Sequence, residues 1–97
     1  MISNRADASM LIKAILSLKT SEECAAFLED VLTIKETRDI VQRLDVAKCL
    51  SENMKYSDIS VSTGASSATI SRVNRAYVYG SGGYQIILDR LFGGESQ

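Results

Sequence analysis

Histidine is missing from all 97 residues of the chain, and with it go the commonest general base of enzymes and the commonest zinc ligand. Cysteine is scarce, at two residues. Cys24 and Cys49 form no CxxC pair and sit inside apolar helical patterns, so they read as buried free thiols rather than a disulfide or a metal site. An excess of charge is also lacking: 11 basic residues stand against 12 acidic ones, for a net of −1. A broadly basic nucleic-acid coat is thereby excluded, and any such contact must come from a local patch. No apolar run approaches the roughly 20 residues that cross a bilayer, and the opening residues lack the basic region, apolar run and small-residue cleavage site of a secretion signal. The expected setting is the cytoplasm, with no membrane and no metal. Catalytic chemistry has few groups to draw on, and none is assigned.

What is present describes one small domain over residues 1–97. A hydrophobic share of 45% with 24% charged residues is ordinary for a globular protein. A chain of this size buries only about 60–65% of its unfolded surface, so a lone core is modest. MISNRADA is polar and reads as a frayed lead-in to a helix from about Asp7 to Leu18. Met10, Leu11, Ile12, Ala14, Ile15, Leu16 and Leu18 cover far more than one stripe of that helix. A helix apolar nearly all round needs cover on several sides. In so short a chain a second subunit is the natural cover, because obligate dimer interfaces resemble a domain core cut in half. Homodimerisation is inferred from this helix.

Thr20 with Glu23 forms a capping box, opening a helix that runs to about Leu32. Its apolar face is Ala25, Phe27, Leu28, Val31 and Leu32. Glu22, Glu23, Glu29 and Asp30 read as a solvated face rather than paired carboxylates for glycoside cleavage. Thr33 with Glu36 repeats the capping box and begins a third helix reaching about Ser51. Ile40, Val41, Leu44, Ala47 and Leu50 recur along it at three- and four-residue steps. Glu36, Arg38, Asp39, Arg43, Asp45 and Lys48 alternate in sign along its exposed side. Asn53 is a reasonable stop. After Tyr79 the run GSGG breaks the chain, and Tyr84 to Phe92 forms a last helix with Tyr84, Ile87, Leu88, Leu91 and Phe92 available for packing. GGESQ is a loose tail.

Between these elements, residues 56–79 have the layout of a helix-turn-helix. Ser57 can cap a first short helix, Ile59 points inward, and Gly64 stands where that helix must stop in a left-handed conformation. Ser66 or Ser67 can cap a second helix with Ile70 and Val73 inward, leaving Ser67, Ala68, Thr69, Ser71, Arg72, Asn74 and Arg75 on the other faces. Small hydroxyls, an amide and two guanidiniums are groups that reach base edges and phosphates. Helical hairpins with an intervening glycine also occur in domains that never touch DNA. The joint spacing of Ile59, Gly64, Ile70 and Val73 favours the DNA-reading form, with a helical protein-interaction module as the alternative.

Three segments, LTIKETRDIVQR from Leu32, TGASSATISRVNRAY from Thr63 and YGSGGY from Tyr79, resemble the Trp repressor family, and in detail its YerC/YecD subgroup of small Trp-repressor-like proteins. The resemblance implies an all-α, intertwined homodimer with a helix-turn-helix at about 56–79, acting as a transcriptional regulator and most simply a repressor. Its two recognition helices would enter successive major grooves of double-stranded DNA about 34 Å apart. It places Ser66, Ser67, Ala68, Thr69 and Ser71 at the groove, with Arg72 beside them. Lys55 and Arg75 become candidates for phosphate contacts. Hydroxyls discriminate bases weakly, so water-mediated and shape readout would carry much of the specificity. Arg43 and Arg72 match the two arginines that hold the amino-acid co-repressor, and Thr33 matches a residue near that ligand. A small-molecule co-repressor is therefore an open expectation, with another anion, or ion pairs to acids such as Asp39, as alternatives. Val73 stands where the Trp repressor has glycine, in space an indole ring would need, which disfavours tryptophan itself. Ser57, Ser60 and Ser62 replace basic residues of the family, so fewer phosphates can be neutralised from that side, and weak binding, or binding strengthened by a ligand or by dimer pairing, is expected.

Overall fold

The structure, a computed structural model, describes residues 6–93. Residues 1–5 and 94–97, which hold most of the expected polar lead-in and loose tail, lie outside the described residues. A short 3-10 turn at Ala6–Ala8 leads into six α-helices: α1 Ser9–Ser17, α2 Ser21–Val31, α3 Ile34–Ser51, α4 Tyr56–Thr63, α5 Ser67–Tyr79 and α6 Gly83–Phe92. No strand occurs among the described residues. Chain contacts gather in two compact units, one running to Thr37 and one from Arg38 onward.

In the first unit, α1 starts two residues later than the sequence suggests, because the 3-10 turn takes up Asp7. Both threonines cap their helices as expected; the Thr33 box closes reciprocally, whereas the glutamate of the Thr20 box bonds one residue earlier, at Lys19. Thr20 Oγ1 accepts from the Glu23 amide at 3.0 Å, while the Glu23 carboxylate reaches back to the amide of Lys19 at 2.9 Å. At the next helix start, Thr33 Oγ1 accepts from the Glu36 amide at 3.1 Å and Glu36 Oε1 accepts from the Thr33 amide at 2.9 Å. Each such cap is worth about 1 kcal/mol. Neither α1 nor α2 carries a buried residue; Met10 is 82% exposed and Leu16 78%. Cys24 is exposed, against the expectation of a buried thiol, because its face of α2 is left uncovered among the described residues; it and the half-buried Cys49 are free.

The second unit holds the core. Val46 and Ala47 of α3, Ile59 of α4, Ala65 of the turn, Ile70 and Val73 of α5 and Leu88 of α6 form one buried cluster, flanked by Cys49, Leu50, Met54, Tyr77 and Tyr84. Ile59, Ile70 and Val46 are its largest fully buried side chains, each contributing about 1.5–3 kcal/mol of apolar burial. The expected stripe on α3 is thus only half covered. Ala47 and Leu50 pack inward, and Val46 joins them, while Ile40, Val41 and Leu44 stay exposed because the cluster reaches α3 only in its C-terminal half. Ile87, Leu91 and Phe92 of α6 are likewise exposed, and Leu88 is the buried residue of that helix, with Tyr84 packed beside the core.

Asn53 ends α3 as expected, with a left-handed φ of 62° that asparagine tolerates better than most side chains. Its amide donates to Leu50 O at 3.0 Å and the Met54 amide to Cys49 O at 3.2 Å. These two crossed bonds are the Schellman closure of a helix end. Lys48 ties the same end to α6, its ammonium lying 4.7 Å from the centre of the Phe92 ring and 2.8 Å from the Glu52 carboxylate. No helix among the described residues is long and apolar enough to cross a membrane.

Candidate nucleic-acid interface

Two short helices meet at the turn Gly64–Ser66. The first, α4, begins at Tyr56 behind an extended Lys55 that makes no side-chain cap, so the cap expected at Ser57 is not used. It ends at Gly64, whose φ of +76° is the left-handed conformation the glycine was expected to supply, and whose amide donates to Ser60 O at 2.8 Å. Of the two candidate caps for α5, Ser66 is the one used: its hydroxyl accepts from the Thr69 amide at 3.1 Å and donates to Thr69 Oγ1 at 3.1 Å. The hydroxyl of Ser66 is therefore engaged within the protein, and Thr69 is half-buried beside it.

Helical geometry sorts the rest of α5. At about 100° per residue, Ser67, Ser71, Arg75, Ala68 and Arg72 fall in that order within an arc of about 140°, and all five are exposed. Ile70 and Val73 lie on the opposite side, buried, with Tyr77 half-buried between their directions. The partition has a simple cause. The apolar residues at i and i+3 sink into the shared core, so the small, hydroxyl and basic residues on the far side face outward. Between Lys55 and Tyr79 the charged residues are Lys55, Arg72 and Arg75 against Asp58, a local net of +2 within a chain of −1. Lys55 is exposed at the start of α4.

The turn is held by side chains to which the sequence assigns no such role. Ser60 Oγ donates to Ala65 O at 2.8 Å, Thr63 Oγ1 donates to Ile59 O at 2.8 Å, and the Ala65 amide donates to Thr63 Oγ1 at 3.2 Å. From α3, Gln42 Nε2 donates to Thr63 O at 3.3 Å. Ser60 counts in the sequence only as a position short of positive charge, and Gln42 falls between residues of an apolar pattern. No periodicity marks either one, since their partners are backbone carbonyls at the end of α4 and in the turn.

The three expected ligand residues have separate surroundings. The Thr33 hydroxyl serves the α3 cap. Arg43 lines an open, mostly apolar cleft of about 670 Å³ with Ile40, Leu44, Ala76, Gly80, Tyr84 and Ile87 among its walls. Arg72 stands on the exposed arc of α5 and is not among the residues lining that cleft.

Helices, turn and exposed polar arc together define an all-helical protein of the helix-turn-helix class. The chain belongs to the Trp repressor protein family, whose model matches residues 6–92 and so spans both compact units. It is 49% identical over 81 residues to the uncharacterised protein YerC of Bacillus subtilis, a match covering 84% of this chain and 78% of that one. A TrpR-like protein from Eubacterium eligens superposes with a TM-score of 0.86 at 49% identity, covering 91% of each chain. A candidate Trp repressor from Staphylococcus aureus does so with a TM-score of 0.86 at 42% identity, covering 92% of this chain and 89% of that one. Family and neighbours point to a DNA-binding regulator, in a fold that is not an enzyme family.

Proposed function

We propose that the chain is a cytoplasmic, sequence-specific regulator of transcription, acting as a repressor, that binds double-stranded DNA as a homodimer of single Trp-repressor-like domains. The observation that carries this reading is the exposed arc of α5, where Ser67, Ala68, Ser71, Arg72 and Arg75 stand together opposite the buried Ile70 and Val73. In this reading Ser67, Ala68 and Ser71 face base edges, with Thr69 at their margin. Arg72 reaches the groove, Arg75 and Lys55 neutralise phosphates, and Ser66 sets the approach by capping the helix. With three cations in the segment, each subunit neutralises few phosphates, so binding is weak at high salt.

Homodimerisation is supported by the apolar surface that the single chain leaves bare on α1 and on the first half of α3, from Met10 and Leu16 to Ile40, Val41 and Leu44. Large apolar side chains left bare on each of these two segments are the kind of surface that a partner subunit covers. Any co-repressor is an anion-bearing small molecule held by Arg43, which lines the cleft between α3, α5 and α6; tryptophan is disfavoured by Val73.

Selection from a random duplex library at low salt tests the function. The expected result is a two-fold palindrome with half-sites about one helical turn, or 10–10.5 base pairs, apart. A library that stays unenriched refutes it.

A further inference from the structure

We propose that Gln42 is a positioning residue for the recognition helix, coupling α3 to the turn that aims α5; the proposal rests on the DNA-binding reading of α5. The carbonyl of Thr63 is the last of α4, one of the groups every helix end leaves without an internal partner. Gln42 Nε2 donates to it at 3.3 Å from a half-buried position 21 residues away in sequence. The same nitrogen lies 4.0 Å from where a Cβ on Gly64 would stand, so the amide rests against the left-handed residue at which the chain reverses.

The bonds of Ser60, Thr63 and Ser66 are different in kind, because each joins residues within α4, the turn and the first turn of α5. They shape the turn without anchoring it to anything outside. Gln42 supplies a directional anchor from the long helix. The core contacts of Ile59, Ile70 and Val73 hold α4 and α5 down, but apolar packing is non-directional. A hydrogen bond at the pivot restricts rotation of the pair on that greasy surface. Without it, the orientation competent for DNA is populated for a smaller fraction of the time, and the apparent dissociation constant rises in inverse proportion to that fraction.

Two nearly isosteric changes test this in the full-length protein. Gln42→Met keeps the side-chain length and removes the donor; Gln42→Glu places a carboxylate against the Thr63 carbonyl. Hydrogen exchange is expected to quicken at the amides of Gly64, Ala65 and the first turn of α5 in the order wild type, Met, Glu, while the amides of α3 keep their rates. As pH falls, the Glu variant should close the gap to wild type already above the ordinary glutamate value of about 4.3, because the facing carbonyl disfavours the charged form and the neutral acid donates again. Binding to a random-sequence duplex at low salt should weaken about two- to tenfold for the Met variant, in line with one hydrogen bond, with the salt slope unchanged because no phosphate contact is lost. Exchange in the Met variant equal to wild type overturns the proposal, and so does acceleration spread evenly over all six helices, which marks a loss of general stability. If the exchange pattern appears as expected while the wild-type protein fails to bind any duplex, the positioning role of Gln42 stands and the DNA-binding reading falls.

Discussion

Replacing Gly64 by alanine isolates the backbone demand of the turn from every other contribution. With φ at +76°, an L side chain at this position is strained whatever space it finds. Space is not the issue, because a Cβ would meet only Gln42 Nε2, at 4.0 Å, an ordinary contact. The cost is therefore the left-handed penalty alone, about 1–2 kcal/mol. It is reduced by up to about 1 kcal/mol through the lower entropy of the unfolded chain. The net loss is about 1 kcal/mol, which in a domain of this size lowers the melting temperature by roughly 4–8 °C. Thermal unfolding followed by circular dichroism, at one fixed protein concentration so that association does not shift the midpoint, measures it. Gly64→Asn should fall between wild type and alanine, because asparagine tolerates the left-handed region. Gly82→Ala is the control. Its φ of +87° imposes the same strain, with nothing within 4 Å of the added carbon, so it should cost similar stability while sparing DNA binding. A Gly64→Ala protein that melts within a degree of wild type, or an asparagine variant less stable than alanine, would refute the argument.

Other consequences follow from the arc and the core. Arg75→Ala should weaken binding to all duplexes alike and lower the slope of log affinity against log salt by about one per subunit, whereas Ser71→Ala should leave the slope and change which bases are enriched. Ile70→Ala empties a fully buried site and should cost about 2–5 kcal/mol, while Val61→Ala, at a residue 88% exposed, should shift stability by no more than about 0.5 kcal/mol; chemical denaturation separates the two. Leu16→Glu should abolish association in sedimentation equilibrium, and a wild-type protein that sediments as a folded monomer at micromolar concentration would remove the case for a dimer.

Much of this molecule is local in origin, and the sequence by itself determined that part. The Thr20 and Thr33 capping boxes, the left-handed Gly64, the stop at Asn53 and the inward pair Ile70 and Val73 each depend on residues within one helical turn of one another. Their spacing is therefore their geometry. The family was legible for the same reason, carried by LTIKETRDIVQR and TGASSATISRVNRAY as contiguous strings. Tertiary structure decided what spacing leaves degenerate. An apolar stripe on α3 does not say which half of it has a neighbour, and only the packing of α4, α5 and α6 selected Val46 and Ala47 over Ile40, Val41 and Leu44. Cys24 sits in an apolar pattern but on a face left uncovered among the described residues. Two serines were equal candidates to cap α5 until backbone geometry chose Ser66. The bond from Gln42 to the Thr63 carbonyl was out of reach of any pattern, because a backbone acceptor has no residue type, and only the fold brings positions 21 apart to within 3.3 Å.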